Sequence, residues 1–223
     1  MPPRRPRQGP PRPPARPAEI KPAGPLQIDL EYEQTVEAAA YEDTDLMAVE
    51  AGAVEFVQCR FRKASLAGAH LAQVRLVDCE IDVSDLSNLR AEKGVLERVT
   101  LTGSRMTGLA LHGGMLSDAV LTDCKIDLAN WRFTRFDVVT FTDCNLRGAD
   151  FTDADLRGAS FTRCDLSGAQ FHNATMTGTR FRGCELSGIG GLTSWQGAIV
   201  HPDDLLALSH ALAGALGITV TEH

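Results

Sequence analysis

Six cysteines stand at intervals that could do chemistry. Cys124, Cys144, Cys164 and Cys184 are 20 residues apart, and Cys59 and Cys79 repeat the interval. Thiols in such a series suggest a metal ladder or a run of disulfides. His112 and His172 share the same interval three times over. No glycine-rich phosphate loop precedes a basic residue and a helix, and no nucleophile motif is present. What these groups can do depends on the element that positions them.

That element is set by a period of five. Every fifth residue from Phe56 through Phe61, Leu66 and Leu71 to Phe181 and Leu186 gives 27 positions, and 26 carry a large apolar side chain. Only Ala91 departs, and no insertion breaks the phase. Two residues before each comes a smaller set: Cys59, Ala64, Ala69, Val74, Cys79 and onward to Cys184. A helical period of 3.6 or a strand period of 2 would scatter both sets over all faces. A period of five with two inward residues requires a corner after each short straight segment. Four corners close a square of 20 residues, and each coil lies on the last at about 4.8 Å. The expected fold is an all-β solenoid, a quadrilateral β-helix of about seven coils over residues 56–190, roughly 32 Å long.

The stretch Cys144-Asn-Leu-Arg-Gly-Ala-Asp-Phe-Thr-Asp-Ala-Asp-Leu-Arg-Gly carries the pattern A-(D/N)-(L/F)-x-x in succession. It resembles the pentapeptide-repeat family. The resemblance implies a right-handed coil. It also implies one sharp function, because some members are similar to B-DNA in width and charge. Those members bind DNA gyrase or topoisomerase IV and protect it from quinolones or natural toxins.

Columns follow from the period of 20. Phe61, Ile81, Leu101, Leu121, Phe141, Phe161 and Phe181 should stack on one wall. Seven of the nine Phe lie between 133 and 181, so the C-terminal coils should have the better-filled core. Ala91 leaves a gap that Leu89 is placed to fill, and the coil around 86–96 is expected to be the least regular. The corner column Gly68, Asn88, Gly108, Leu128, Gly148, Gly168, Gly188 suits turns with φ > 0. Leu128 is expected to turn differently.

The square coil also decides the cysteine question. In-register neighbours keep their Cβ atoms near 4.8 Å apart, outside the roughly 3.5–4.5 Å of a disulfide. A straight column cannot surround one ion tetrahedrally. Cys124, Cys144, Cys164 and Cys184 are therefore read as small hydrophobic core residues beside Phe141, Phe161 and Phe181. His112 and His172 lie about 14 Å apart, too far for one metal. No catalytic residue, cofactor or metal is expected, and no enzyme activity.

The net charge of -7 divides unevenly. Residues 1–25 hold ten of the 11 prolines, six basic residues and one acid, and read as a disordered, partly polyproline II tail. This tail could meet nucleic acid, fold back on the acidic block beside it, or stay solvated. Residues 26–55 hold nine acids and no Lys or Arg, and read as a cap with an irregular first coil. In it, Leu26, Ile28, Leu30 and Tyr32 alternate with polar residues as in a half-buried strand. At the other end, residues 191–223 read as a helix and short strand covering the last coil. His201-Pro202-Asp203-Asp204 starts the helix, and Leu205, Leu208, Leu212 and Leu216 share a stripe. Leu206 extends a second apolar side that suits a twofold contact. In quinolone-resistance members of the family the C-terminal helices join two solenoids, and this layout is similar. Ile218 to Thr221 reads as the final strand.

No apolar run approaches the roughly 20 residues of a membrane helix. Nor does a stretch near Met1 have a signal peptide's apolar core, so the cytoplasm is the expected compartment. Three functions remain open. The first is a protein-interaction scaffold with an unknown partner. The second is DNA mimicry toward gyrase, with a homodimer through the C-terminal helix. The third is binding of nucleic acid or acidic surfaces by the basic tail. DNA carries about one charge per 1.7 Å of axis, near 19 over a rod of this length. Over residues 59–188 the four walls instead carry mixed charge: six basic against four acidic around Phe61, three against four around Leu66, three against three around Leu71 and four against five around Leu76. The scaffold reading leads on that count.

Overall fold

The structure, a computed structural model, describes residues 9–215 and 217–219. Its register is 20 residues throughout the repeat. Val95–Thr102, Met115–Thr122 and Arg135–Thr142 align in parallel, with Leu101, Leu121 and Phe141 opposite one another. On another wall the same step runs Asp45, Ser65, Asp85, Arg105 as single bridges. The outcome is the expected β-solenoid, with about nine coils in place of about seven. The difference arises at the start. Thr35–Glu37 already pairs with Glu55–Val57, and Val36, Tyr41, Leu46, Ala51 and Val54 are buried. Ala51 and Val54 are small, so the period is quieter there than after Phe56.

Between Glu33 and Gly188 every fifth residue has positive φ except Gly158. Val83 (φ 49°), Leu128 (φ 58°) and Phe133 (φ 56°) are included. A non-glycine residue gives up about 1–2 kcal/mol in this region. The ladder holds it there, because most corner N–H groups donate to a carbonyl of the next coil. Leu128 N reaches Arg147 O at 2.9 Å, and Val83 N reaches Thr102 O at 2.8 Å. Leu128 therefore makes the same left-handed turn as Gly108 and Gly148, contrary to the sequence expectation. Gly158, the exception, has no room for a side chain: a Cβ there would lie 2.5 Å from Val138 N.

Tyr41 and the file from Phe61 to Phe181 are fully buried. Phe141 stacks on Phe161 at 4.9 Å, and Phe161 on Phe181 at 5.0 Å. A second file runs Trp131, Phe151, Phe171, stacked at 6.4 and 5.2 Å. Trp195 closes the C-terminal end by stacking on Phe181 at 4.6 Å. A void of about 20 Å³ lies in the other half, among Phe56, Leu71, Leu76, Leu86 and Leu89. Leu89 is buried beside Ala91, as expected. The coil at 86–96 is nevertheless regular, since Leu86, Asn88 and Ala91 donate to the next coil at 2.7–2.8 Å. Register slips only at the ends, where Lys21 pairs with Ala39 and Arg180 with Ile199.

Both terminal segments differ in detail from the sequence reading. The expected strand at 26–32 is instead a helical turn, α1 (Pro25–Ile28). Pro25 suits a first turn, and Tyr41 Oη anchors the segment by donating to Gln27 O at 2.8 Å. The C-terminal helix α2 (Pro202–Ala215) begins where expected. Ile218 and Thr219 form no strand, and Val220 and Thr221 lie outside the described residues. Residues 9–24 are not a disordered tail. They lie along the solenoid, and Lys21–Pro22 adds to its sheet.

Candidate functional site

All six cysteines are buried and free. Their thiols do more than fill space. Cys124 Sγ donates to Leu101 O at 3.5 Å and Cys144 Sγ to Leu121 O at 3.5 Å, each 23 residues back. Thr134 and Thr179 make the same bond from hydroxyls, at 3.0 and 2.7 Å. The inward small position thus accommodates a short donor as well as alanine. Hydrogen bonding between neighbouring thiols of each column raises Cys79, Cys124 and Cys164 above the ordinary thiol range and lowers Cys59, Cys144 and Cys184 below it. Burial of all six shields them from reagents and ligands. No cluster of three or more His, Cys, Asp or Glu placed to hold a metal occurs among the described residues.

The column of Cys184 ends on Asp204, 20 residues later. Asp204 is buried, and its carboxylate accepts Gly183 N and Cys184 N, both at 2.8 Å. The 20-residue spacing is visible in the sequence, although residue type alone suggests only a helix-start acid at Asp204. Of the leucine stripe on α2, Leu208 is buried while Leu205 and Leu212 are exposed. The side chains of Leu206 and Leu216 lie outside the described residues.

Outside, many charges pair one coil apart. Arg75 meets Glu55 at 3.0 Å, Arg98 meets Asp78 at 2.7 Å, and Arg163 meets Asp143 at 2.7 Å. The Arg163 guanidinium holds the Asp143 carboxyl below its usual range. Between these ladders lies an uncharged lane. Its outward residues are Thr100, Thr102, Val120, Thr122, Thr140, Thr142, Ser160 and Thr162, in register over four coils.

The strap of residues 9–20 runs across the coils along a corner column. Pro11, Pro14, Pro17 and Ile20 are half-buried, and the residues between them are exposed. One inward residue in three is the period of polyproline II. Arg12 donates its main-chain N–H to Asp118 Oδ1 at 2.8 Å, and its Nε and Nη2 to Oδ2 at 2.9 and 2.7 Å. Ala15 N donates to Asp78 Oδ1 at 2.8 Å. Arg16 Nε reaches Glu80 at 3.0 Å. Burial alone would raise the Asp78 carboxyl, but Arg98 and the Ala15 N–H outweigh it and hold it below the usual range. Arg12, Ala15 and Arg16 thus meet acids of the repeats, while Lys21–Pro22 pairs with Ala39–Ala40 of the acidic block.

These features define a four-walled solenoid on a five-residue register. A family model described as a pentapeptide repeat region matches residues 95–171 and 115–190. Residues 95–190 thus carry a pentapeptide repeat region. Among solved structures the chain is similar to trypsin-treated QnrB1, a plasmid-mediated fluoroquinolone resistance protein, at 18% identity and TM-score 0.38, covering 92% of this chain and 100% of that one. HetL, involved in heterocyst differentiation regulation in the cyanobacterium Nostoc, is similar at 18% identity and TM-score 0.35, covering 75% and 87%. A pentapeptide repeat protein of the Arabidopsis thaliana thylakoid lumen is similar at 24% identity and TM-score 0.27, covering 58% and 74%. No curated protein matches the sequence. No helix among the described residues is long and apolar enough to cross a membrane.

Proposed function

We propose that the chain is a non-enzymatic interaction scaffold that holds a protein partner on the wall carrying the threonine lane. The observation that supports this is the lane itself. Its eight positions present seven hydroxyls and one valine, uncharged over the four coils. A flat surface of this kind can be covered without stranding ions, which is costly in an interface. The reading places the protein in the cytoplasm, where six free thiols persist.

Electrostatics favours this over DNA mimicry. Asp78, Asp143 and Glu55 are each paired with an arginine on the next coil, which breaks up a continuous negative face. Arg12 and Arg16 are engaged with acids of the same chain, which also weighs against a nucleic-acid arm. A homodimer through α2 draws support only from the exposed Leu205 and Leu212, and sedimentation of the full chain against Leu205→Glu tests it.

The scaffold reading is tested by placing a photo-crosslinking residue at Thr122 in the native cells. The captured protein is then purified and its direct binding measured. Binding that is lost in Thr122→Arg/Thr142→Arg, with the fold intact, supports the reading. Equal binding by that variant overturns it. A gyrase supercoiling assay, with and without a fluoroquinolone, should show no effect of the purified chain. Inhibition, or relief of poisoning, would put the gyrase alternative in its place.

A further inference from the structure

The strap and its corner column fit each other by length. Three residues of polyproline II rise about 9.3 Å. Two coils of the solenoid rise about 9.6 Å. Arg12 and Ala15 are three residues apart, and their acceptors Asp118 and Asp78 are two coils apart. A polyproline segment laid along the coil axis therefore meets a carboxylate once per turn.

The donors match as well. Residues 10–15 read Pro-Pro-Arg-Pro-Pro-Ala, so only Arg12 and Ala15 carry a main-chain N–H. Both of those N–H groups are bonded to the column. The Asp118 side chain is fully buried and also takes the Arg12 guanidinium through two nitrogens. Such bidentate geometry selects arginine over lysine. Arg98, midway between the two acids in the column, is turned onto Asp78 and Glu97. Pro11 and Pro14 are the inward pair between and beside these contacts.

We propose that the corner groove over Asp78, Arg98 and Asp118 is a recognition site for polyproline II segments of the type Pro-Pro-Arg-Pro-Pro-Ala, filled in cis by residues 10–15 and open in trans to a partner segment of the same chemistry. Polyproline II has no internal hydrogen bonds and is stiff beforehand, so little order is lost on docking. Tethering gives the strap an effective concentration in the millimolar range, which a partner segment must overcome. The proposal goes beyond the scaffold reading, because it concerns a second site; its test needs no partner and leaves the threonine lane unsubstituted.

The probe is a fluorescein-labelled peptide of residues 9–18, and fluorescence anisotropy is read on the full chain. In Arg12→Glu, the strap's own side chain is repelled from Asp118 and the groove is vacated. This chain should bind the peptide at least tenfold more tightly than the wild type. Adding Asp118→Asn should weaken that binding at least tenfold, and so should replacing the peptide's arginine by alanine. Protection of the six thiols from Ellman's reagent checks each fold. If the Asp118 variant unfolds, Asp78→Asn in the Arg12→Glu chain takes its place. No binding to the folded Arg12→Glu chain overturns the proposal. Binding indifferent to the column acids or to the peptide's arginine overturns it equally.

Discussion

The carboxylate of Asp204 accepts the main-chain N–H of Cys184 at 2.8 Å from a position one coil further on. Inside the repeat, Ser84 and Ser104 do the same for the residue 20 before, taking Ala64 N and Ser84 N at 3.1 Å. Asp204 thus continues the inward column into the first turn of α2 and satisfies the last edge of the solenoid. Open edges invite association; here Ile199–Val200 pairs with Arg180 and Phe181, and the Asp204 side chain takes the N–H groups of Gly183 and Cys184 that follow.

Asp204→Ala should therefore destabilise by about 1–3 kcal/mol, since two edge N–H groups lose their acceptor. Asp204→Asn keeps one oxygen and should lose less. Urea denaturation followed by far-ultraviolet circular dichroism measures both. A wild-type midpoint for the alanine variant would contradict this role.

Phe161→Ala should cost about 3–5 kcal/mol, transfer plus cavity. Phe161 is stacked from both sides, by Phe141 and Phe181. Leu101→Ala, in the same file but without aromatic neighbours above and below, should cost less. The difference between the two denaturation midpoints is the test.

The thiols should be silent in the folded protein and all react with Ellman's reagent once it is denatured. Cys144→Ser should change stability by no more than about 1 kcal/mol, because a hydroxyl can take up the bond to Leu121 O as Thr134 does to Leu111 O. Native labelling of any of the six would contradict the packing.

Val83 is exposed, β-branched and held at φ 49°. Val83→Asn should raise stability by up to about 1 kcal/mol, since asparagine tolerates this region better. The melting temperature of the purified variant decides it. A lower value would mean that the valine contributes packing at the corner that outweighs its strain.

Acid should release the strap at Asp78. Its folded carboxyl lies below the ordinary 3.8, so the bond to Ala15 is fully present above that value and is lost as pH falls through the lower, folded one. The Ala15 amide resonance should hold steady from neutral pH to about 5 and move only below about 4. Movement near pH 6 would contradict the pairing.

The walls and files were legible because apolar size repeats at Phe56, Phe61, Leu66 and onward without a slip. Coils before Phe56 were harder to read, since Val36, Ala39 and Ala51 are small and their burial depends on the ladder. Leu128 departs from the glycine preference of its corner because the bond from its N–H to Arg147 O holds the turn. The regular coil around Ala91 has the same cause: main-chain bonds fix it whatever the side chain. The strap was hidden by composition. Its signal was present in Pro11, Pro14, Pro17 and Ile20 at every third residue, facing Asp78 and Asp118 forty apart. Neither pattern means anything until the rise of the coil is compared with the rise of polyproline II.

The vertical stacking of residues twenty apart can be measured with a ruler. Spin labels at Glu42→Cys paired with Thr122→Cys, Thr162→Cys or Arg182→Cys sit in one outward column, and the native thiols are too buried to take label. Pulsed electron resonance should give separations near 19, 29 and 34 Å, a step of about 4.8 Å per coil. Separations that fail to grow in that proportion would contradict the stacked coil and everything placed on it.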